Sequence, residues 1–159
     1  MEALLTLADE VDVFVQNYRP SVIERLGLGE KVIRARNPEI IYCSISAYGG
    51  DGPIGHRPAY DHVVQAMSGI MSTTGTEEMG PTKVGAPYID YATGLNSAFA
   101  ILAALLEKNR TGKGQLVDIS MLDTALNLMA NNLVTVATTG RDMPKPVSYT
   151  HLRAHETRI

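Results

Sequence analysis

Apolar positions along this chain follow two different periods in turn, which predicts alternating helices and strands. Several stretches repeat apolar side chains every three or four residues, as an amphipathic helix does, whereas Val11, Val13 and Val15 alternate as in a short strand. Residues 40–45 are almost continuously apolar, as expected of a strand covered on both faces. The predicted helices are 2–10, 21–26, 30–36, 60–74, 90–106 and 123–138, and the predicted strands are 11–16, 40–45 and 115–121.

Helices separate the predicted strands, so neighbouring strands should run parallel and be joined by crossovers. The sequence therefore predicts an α/β fold, with a partial Rossmann-like parallel sheet and flanking helices. Because a helix leads straight into the first strand, we expect the preceding strand of this αβ unit to lie before Met1.

The stretch from Gly85 to Gly94 brings one acidic side chain, Asp90, to the start of the longest predicted helix. Pro87 cannot lie inside a regular element and favours an extended Ala86. At a helix N-terminus, Asp90 could accept an orphan backbone N–H as a cap. The same position would also support an ionised carboxylate that acts as a nucleophile. On residue type and position alone, the cap is the favoured interpretation, because caps are common and catalytic carboxylates are rare.

Composition narrows the class of protein. Of the 159 residues, 45% are hydrophobic and 19% are charged, which is typical of a globular chain. A net charge of −3 argues against nucleic-acid or anionic-membrane partners, and the apolar run 98–106 is too short to span a bilayer. The single cysteine, Cys43, lies in an apolar run and is predicted to be buried. One thiol and no signal peptide together predict a cytoplasmic protein.

Polar side chains that follow the predicted strands are candidate ligand contacts, because open α/β sheets bind ligands at the carboxyl ends of their strands. Asn17 and Arg19 directly follow the first strand, and Arg25 lies shortly beyond them. We interpret these three as candidate phosphate contacts, with a turn of solvated arginines as an equal alternative. The glycine-rich segment 48–58 lacks the spacing of a dinucleotide or phosphate-binding loop, so it is predicted to be a plain loop.

Other chemistry is sparse in the sequence. No paired His or Cys spacing is present, so we expect neither a metal nor a permanently bound cofactor. His62 adjoins Asp61, but neighbours in a helix point in different directions, which predicts a surface or helix-start histidine. Met67 and Met71 are interpreted as core side chains.

Several segments, taken together and in order from Ala8 to about Pro144, resemble the class III coenzyme A transferase family. This family includes formyl-CoA and carnitine CoA-transferases and the alpha-methylacyl-CoA racemases. The resemblance implies part of the large CoA-transferase domain over residues 1–145, whereas 146–159 are expected to be a non-native, disordered tail. The matching segments are 12–20 (DVFVQNYRP), 25–28 (RLGL), 37–38 (NP), 40–46 (IIYCSIS), 57–61 (RPAYD), 65–69 (QAMSG), Asp90 with Gly94, and 110–115 (RTGKGQ).

The resemblance implies that Asp90 is a nucleophile rather than a cap. Asp90 would attack an acyl-CoA thioester to form a mixed anhydride, and the CoA thiolate would return to give an aspartyl-CoA thioester. A small carboxylic acid would then collect the CoA. The family positions that contact CoA match Asn17, Tyr18, Arg19 and Arg25, and those that line the thioester match Pro58, Ala59, Tyr60 and Asp61.

Tyr60 separates two activities within this family. Racemases carry a histidine at this position as a second acid–base group, and a phenol is a poor substitute near neutral pH. His62, two residues on, is expected to point elsewhere. The resemblance therefore implies a transferase, with a racemase and a truncated CoA-binding module without turnover as the alternatives. Because the resemblance covers only part of the large domain, the 159 residues by themselves are expected to be inactive. It also implies an interlocked homodimer.

Overall fold

The computed structural model describes residues 2–19, 21–141 and 145 of the 159-residue chain. The predictions for Pro20 and for the tail 146–159 therefore lie outside the described residues. The strands are β1 (Val13–Gln16), β2 (Ile41–Ser46) and β3 (Leu116–Ser120). The helices are α1 (Glu2–Glu10), α2 (Val22–Arg25), α3 (Glu30–Arg36), α4 (Asp61–Met67), α5 (Tyr88–Thr111), α6 (Met121–Leu128) and α7 (Ala130–Thr139), with a 3₁₀ turn at Ile70–Thr73.

The three strands form a parallel sheet in the order β1–β2–β3. Val15 of β1 pairs with Cys43 of β2, and Cys43 pairs in turn with Val117 of β3. A central strand in a parallel sheet is covered on both faces, which explains why residues 40–45 are apolar without alternation. The predicted α/β class is confirmed.

Buried side chains on the two faces of β2 hold helices against the sheet. On one face Tyr42 belongs to a cluster with Ala8 of α1 and Ile33 of α3. On the opposite face Cys43 belongs to a cluster with Ala104 of α5. Cys43 is fully buried, as predicted. The domain therefore has helices on both sides of its sheet.

Two predicted helices are divided in the structure. The stretch 60–74 is helical only to Met67, because Gly69 adopts a left-handed conformation with φ of 85°. Met67 is 52% exposed, so its interpretation as a core side chain is wrong, and Met71 is only partly buried. The stretch 123–138 is divided at Met129, whose ψ of 8° ends α6 before α7 begins.

Helix α5 buries Ile89 and several small side chains on one face and exposes large apolar side chains on another. Ile89, Thr93, Ser97 and Ala104 are buried. The Thr93 and Ser97 hydroxyls donate to backbone carbonyls four residues earlier in α5, so burial leaves neither hydroxyl unsatisfied. The outward apolar side chains, called here the outer stripe of α5, are Tyr91, Leu95, Phe99, Leu102 and Leu106, each at least 61% exposed.

By length and composition alone, α5 could also cross a membrane. Its most apolar 18-residue window has a mean hydropathy of 1.4 and is 22% buried. Helices of soluble cores meet the same two conditions, so this is weak evidence, and the absence of a membrane partner stays a prediction.

Gly114 marks a close approach between the start of β3 and the start of β2. Its N–H donates to the carbonyl of Pro38 at 3.0 Å. A Cβ atom on Gly114 would lie 2.1 Å from the carbonyl oxygen of Ile40, far inside van der Waals contact. Only glycine therefore fits where β3 enters the sheet.

Candidate active site

A cavity of about 670 Å³ lies at the carboxyl ends of β1 and β2, beside the first turns of α4 and α5. This is the edge of the sheet at which an open α/β fold binds ligands. All the site residues predicted from the sequence line this cavity except Arg25 and Asp61. The lining comprises Asn17, Tyr18, Arg19, Ile45, Ser46, Ala47, Arg57, Pro58, Ala59, Tyr60, Val63, Asp90, Thr93, Gly94 and Met121.

Asp90 is the third residue of α5, but it does not cap the helix. Pro87 occupies the N-cap position and offers no side-chain hydrogen bond. The capping carboxylate comes instead from Asp61, whose Oδ2 accepts the N–H groups of Ile89 at 2.7 Å and Asp90 at 3.0 Å. The interpretation of Asp90 as a cap is therefore wrong. Within the described residues, the Asp90 carboxylate has no hydrogen bond or ion pair, and it borders the cavity.

Asp61 supports the site from behind instead of lining it. The residue is 8% exposed, and the side chain of Gln65 donates from Nε2 to Asp61 Oδ1. Both carboxylate oxygens of Asp61 thus face protein donors. Burial and pairing direct the Asp61 carboxylate toward α5, and the expected contact between Asp61 and a bound thioester stays a prediction.

The environment of Asp90 favours its neutral form more than water would. Partial burial raises the pKa of the Asp90 carboxyl, and the negative charge of Asp61 raises it further. Arg19 and Arg57 line the same cavity, and neither forms an ion pair in the part of the chain that is described. Two uncompensated guanidinium groups would attract an anionic ligand toward Asp90.

Tyr60 lines the cavity from the N-cap position of α4 and is 69% exposed. Its ring stacks on that of His62, with the ring centroids 6.1 Å apart and the planes inclined by 9°. His62 is exposed in the first turn of α4, which confirms the prediction of a helix-start histidine. His62 itself does not line the cavity, in agreement with the expectation that it points elsewhere than the site. The two rings can stack because Tyr60 has an extended backbone, so helical spacing does not apply between the two residues.

Arg57 is a cavity residue that the sequence reasoning did not single out. It follows the carboxyl end of β2 through the glycine-rich loop, so the rule that indicated Arg19 could have indicated Arg57 as well. Arg25 has the opposite outcome. It is exposed in the last turn of α2 and lines neither this cavity nor the smaller one beside it, so its expected contact with CoA stays a prediction.

A second cavity of about 290 Å³ adjoins the first, because Tyr18, Arg19 and Ser46 line both. The glycine-rich loop after β2 contributes Gly49, Gly50, Gly55 and His56 to its wall. The predicted plain loop thus forms part of the wall of a cavity. Arg19 lies where the two cavities meet.

Known proteins resemble this chain in both sequence and fold. The model of CoA-transferase family III matches residues 1–159. The chain is 41% identical over 146 residues to a probable fatty acyl-CoA transferase of Mycobacterium tuberculosis, covering 91% of the chain and 37% of that protein. It is 47% identical over 118 residues to the succinyl-CoA:glutarate CoA-transferase of Mus musculus, covering 74% and 27%.

The solved structures agree with this likeness. A CAIB/BAIF family protein from Brucella suis superposes with a TM-score of 0.87 at 36% identity, covering 91% of this chain and 38% of that one. The chain therefore spans between about a quarter and two fifths of the lengths of these proteins. Its sequence resembles that of enzymes named CoA-transferases, and the match over its full length shows that the chain belongs to CoA-transferase family III.

Proposed function

We propose that this chain carries the nucleophile of a CoA-transferase that moves coenzyme A from an acyl-CoA to a small carboxylic acid. The observation that carries this proposal is the carboxylate of Asp90 at the cavity edge, which has no partner among residues 2–19, 21–141 and 145 because Asp61 caps α5 in its place. Relatives named as succinyl-CoA:glutarate and acetyl-CoA:oxalate CoA-transferases support the reaction class.

The proposed reaction proceeds through covalent intermediates on Asp90. An Asp90 oxygen attacks the thioester carbonyl carbon, the C–S bond breaks, and CoA thiolate leaves a mixed anhydride. The thiolate then attacks the Asp90 carbonyl, which releases the donor carboxylate and forms an aspartyl-CoA thioester. An acceptor carboxylate displaces CoA to give a second anhydride. Thiolate attack on the acceptor carbonyl frees Asp90 and yields the new acyl-CoA.

Turnover tests this proposal directly. Incubation of a longer protein that contains this chain with succinyl-CoA and glutarate or oxalate should yield the new acyl-CoA, detected by mass spectrometry. Exchange of the alpha proton of 2-methylacyl-CoA with deuterated water, without any CoA transfer, would favour the racemase alternative. Binding of CoA without either reaction would favour a binding module.

We further propose that Arg19 binds a CoA phosphate at the junction of the two cavities. Arg19→Ala should weaken CoA binding by roughly 10- to 100-fold, the effect of losing a hydrogen bond between charged partners. Isothermal titration calorimetry with coenzyme A at 0.15 M salt measures this change. Arg25→Ala is the matched control, because Arg25 is an exposed arginine nearby that lines neither cavity. Equal losses in the two variants would contradict the assignment of Arg19.

We also propose a homodimer in which a second copy covers the outer stripe of α5. A row of five large, exposed apolar side chains on one helix face is typical of a protein interface. Burial of each large apolar side chain contributes about 1.5–3 kcal/mol, so a single charge in the stripe should disrupt association.

Light scattering coupled to size-exclusion chromatography tests the dimer. The unmodified chain should elute as a dimer, and Leu95→Glu should elute as a monomer. Val134→Glu should remain dimeric, since Val134 is 61% exposed on α7, outside the stripe. A monomeric parent chain, or flotation of the parent chain with phospholipid vesicles, would overturn the proposal.

A further inference from the structure

A fully buried amide side chain lies behind the cavity, on α4. Gln65 is 0% exposed, and both ends of its amide are used. Its Nε2 donates to Asp61 Oδ1, and its Oε1 accepts the N–H of Val84 at 2.9 Å. A carboxylate only accepts and a backbone N–H only donates, so these two partners set the orientation of the amide.

These contacts link α4 to the start of α5 at two places. Gln65 holds Val84 in the segment that leads into α5, while Asp61 holds the N–H groups of Ile89 and Asp90 in its first turn. Asp61 and Gln65 are four residues apart and so lie on the same face of α4. The position of the Asp90 backbone therefore depends on the Asp61 carboxylate, whose rotation is restrained by Gln65.

We infer that Gln65 is a positioning residue for Asp90. It orients the Asp61 carboxylate so that Asp61, and not Asp90, satisfies the first N–H groups of α5. The side chain of Asp90 is thereby left available to a ligand. The inference rests on the proposed function only for its catalytic consequence, since the arrangement itself can be measured without turnover.

Amide hydrogen exchange of the 159-residue chain, followed by NMR, tests the arrangement. Gln65→Leu removes both side-chain hydrogen bonds, so protection at Val84, Ile89 and Asp90 should fall about tenfold more than elsewhere in α5. Val64→Ala is the matched control. Val64 is equally buried on α4 and lies in the same apolar cluster as Ile89, but its side chain has no polar contact. Loss of the Val64 side-chain methyl groups should lower protection generally and not mainly at Val84, Ile89 and Asp90.

Gln65→Glu provides a conservative variant whose effect depends on pH. A protonated carboxyl has one donor and one acceptor, like the amide, whereas the ionised form would oppose the Asp61 carboxylate. Protection factors at Ile89 and Asp90 should therefore be close to those of the unmodified chain at about pH 5 and lost by about pH 8. The unmodified chain should show no such change between the same two pH values.

The pKa of the Asp90 carboxyl group provides a second measurement, which a general loss of order in α4 would not change. In Gln65→Leu, a displaced Asp61 and a more hydrated first turn should both lower the Asp90 pKa toward its ordinary value. Carbon-13 NMR titration measures this shift, and Val64→Ala should show none. Uniform loss of protection in Gln65→Leu, or an unchanged Asp90 titration, would overturn the inference even if Asp90 proves to be the nucleophile. The other titratable groups around this cavity are Tyr18, Arg19, Arg57 and Tyr60.

Discussion

Asp90→Asn should abolish formation of a covalent adduct between this protein and an acyl-CoA. The amide preserves the shape of the side chain but lacks the anionic oxygen that attacks the thioester. The expected loss is roughly a thousandfold or more, the scale of removing a catalytic nucleophile. A longer protein that contains the unmodified chain should give an acyl or CoA adduct on the peptide that contains Asp90, and hydroxylamine should convert it to a hydroxamate that mass spectrometry detects.

Asp123→Asn is the matched control for this experiment. Asp123 is also an exposed acid in the first turn of a helix, α6, but it lies outside both cavities. Its variant should form the adduct as the unmodified chain does. Adduct formation that survives Asp90→Asn, or disappears equally in both variants, would exclude Asp90 as the specific nucleophile.

The thermal stability of Asp90→Asn distinguishes loss of the nucleophile from loss of folding. Because the folded-state pKa of Asp90 is raised, its ionised form destabilises the fold at pH values above the unfolded-state pKa. Asp90→Asn should therefore keep or slightly raise the midpoint of thermal unfolding at pH 7.

Adduct formation should decline as the pH falls through the raised pKa of Asp90, above the ordinary aspartate value of about 3.9. Rates measured between about pH 3 and pH 7 locate this decline.

Gly114→Ala should cause the largest loss of stability among single methyl additions to this sheet. The added Cβ would lie 2.1 Å from the Ile40 carbonyl oxygen and 2.5 Å from the Glu39 carbonyl carbon. These are backbone atoms that cannot move away by changing rotamer, so the start of β3 must separate from β2. Chemical denaturation should show a loss on the order of 3 kcal/mol, at the upper end for overpacking.

Gly94→Ala is the informative comparison. Gly94 lies inside α5, and a Cβ there would meet no heavy atom within 4 Å. Alanine should stabilise this helix by roughly 0.5–1 kcal/mol, because it restricts the unfolded chain more than glycine does. If Gly114→Ala were as stable as Gly94→Ala, the close approach of β3 and β2 would be contradicted.

The sequence alone predicted the class of fold, because the local pattern of apolar residues agrees with the position of each strand in the sheet. Residues 40–45 are apolar at every position, which only a strand with both faces covered requires. Glycine and proline ended elements that periodicity alone would have extended, as at Asn37-Pro38. The division at Gly69 was missed, since glycine is tolerated within a helical pattern unless its φ is positive.

The sequence also located most of the candidate site. Parallel strands bring their carboxyl ends to one edge, so side chains that follow β1 and β2 had to meet regardless of their separation along the chain. This geometry indicated Asn17 and Arg19 and would equally have indicated Arg57. Arg25 lies beyond the turn, where helical rotation decides its direction, and it lines neither cavity.

Only tertiary structure decided which of the two carboxylates caps α5. Sequence alone placed Asp90 at a helix start and favoured it as the cap, because the nearest acidic side chain is the usual partner of orphan N–H groups. In the fold, α4 brings Asp61 to the N–H groups of Ile89 and Asp90, which are 28 and 29 residues away, with Gln65 holding its carboxylate in place. A cap that another helix supplies leaves no local pattern in the sequence from which it could be predicted. The pattern of residues along the chain thus determined that α5 begins beside Asp90. Packing of α4 against α5 decided that Asp61 caps this helix and that the Asp90 carboxylate borders the cavity.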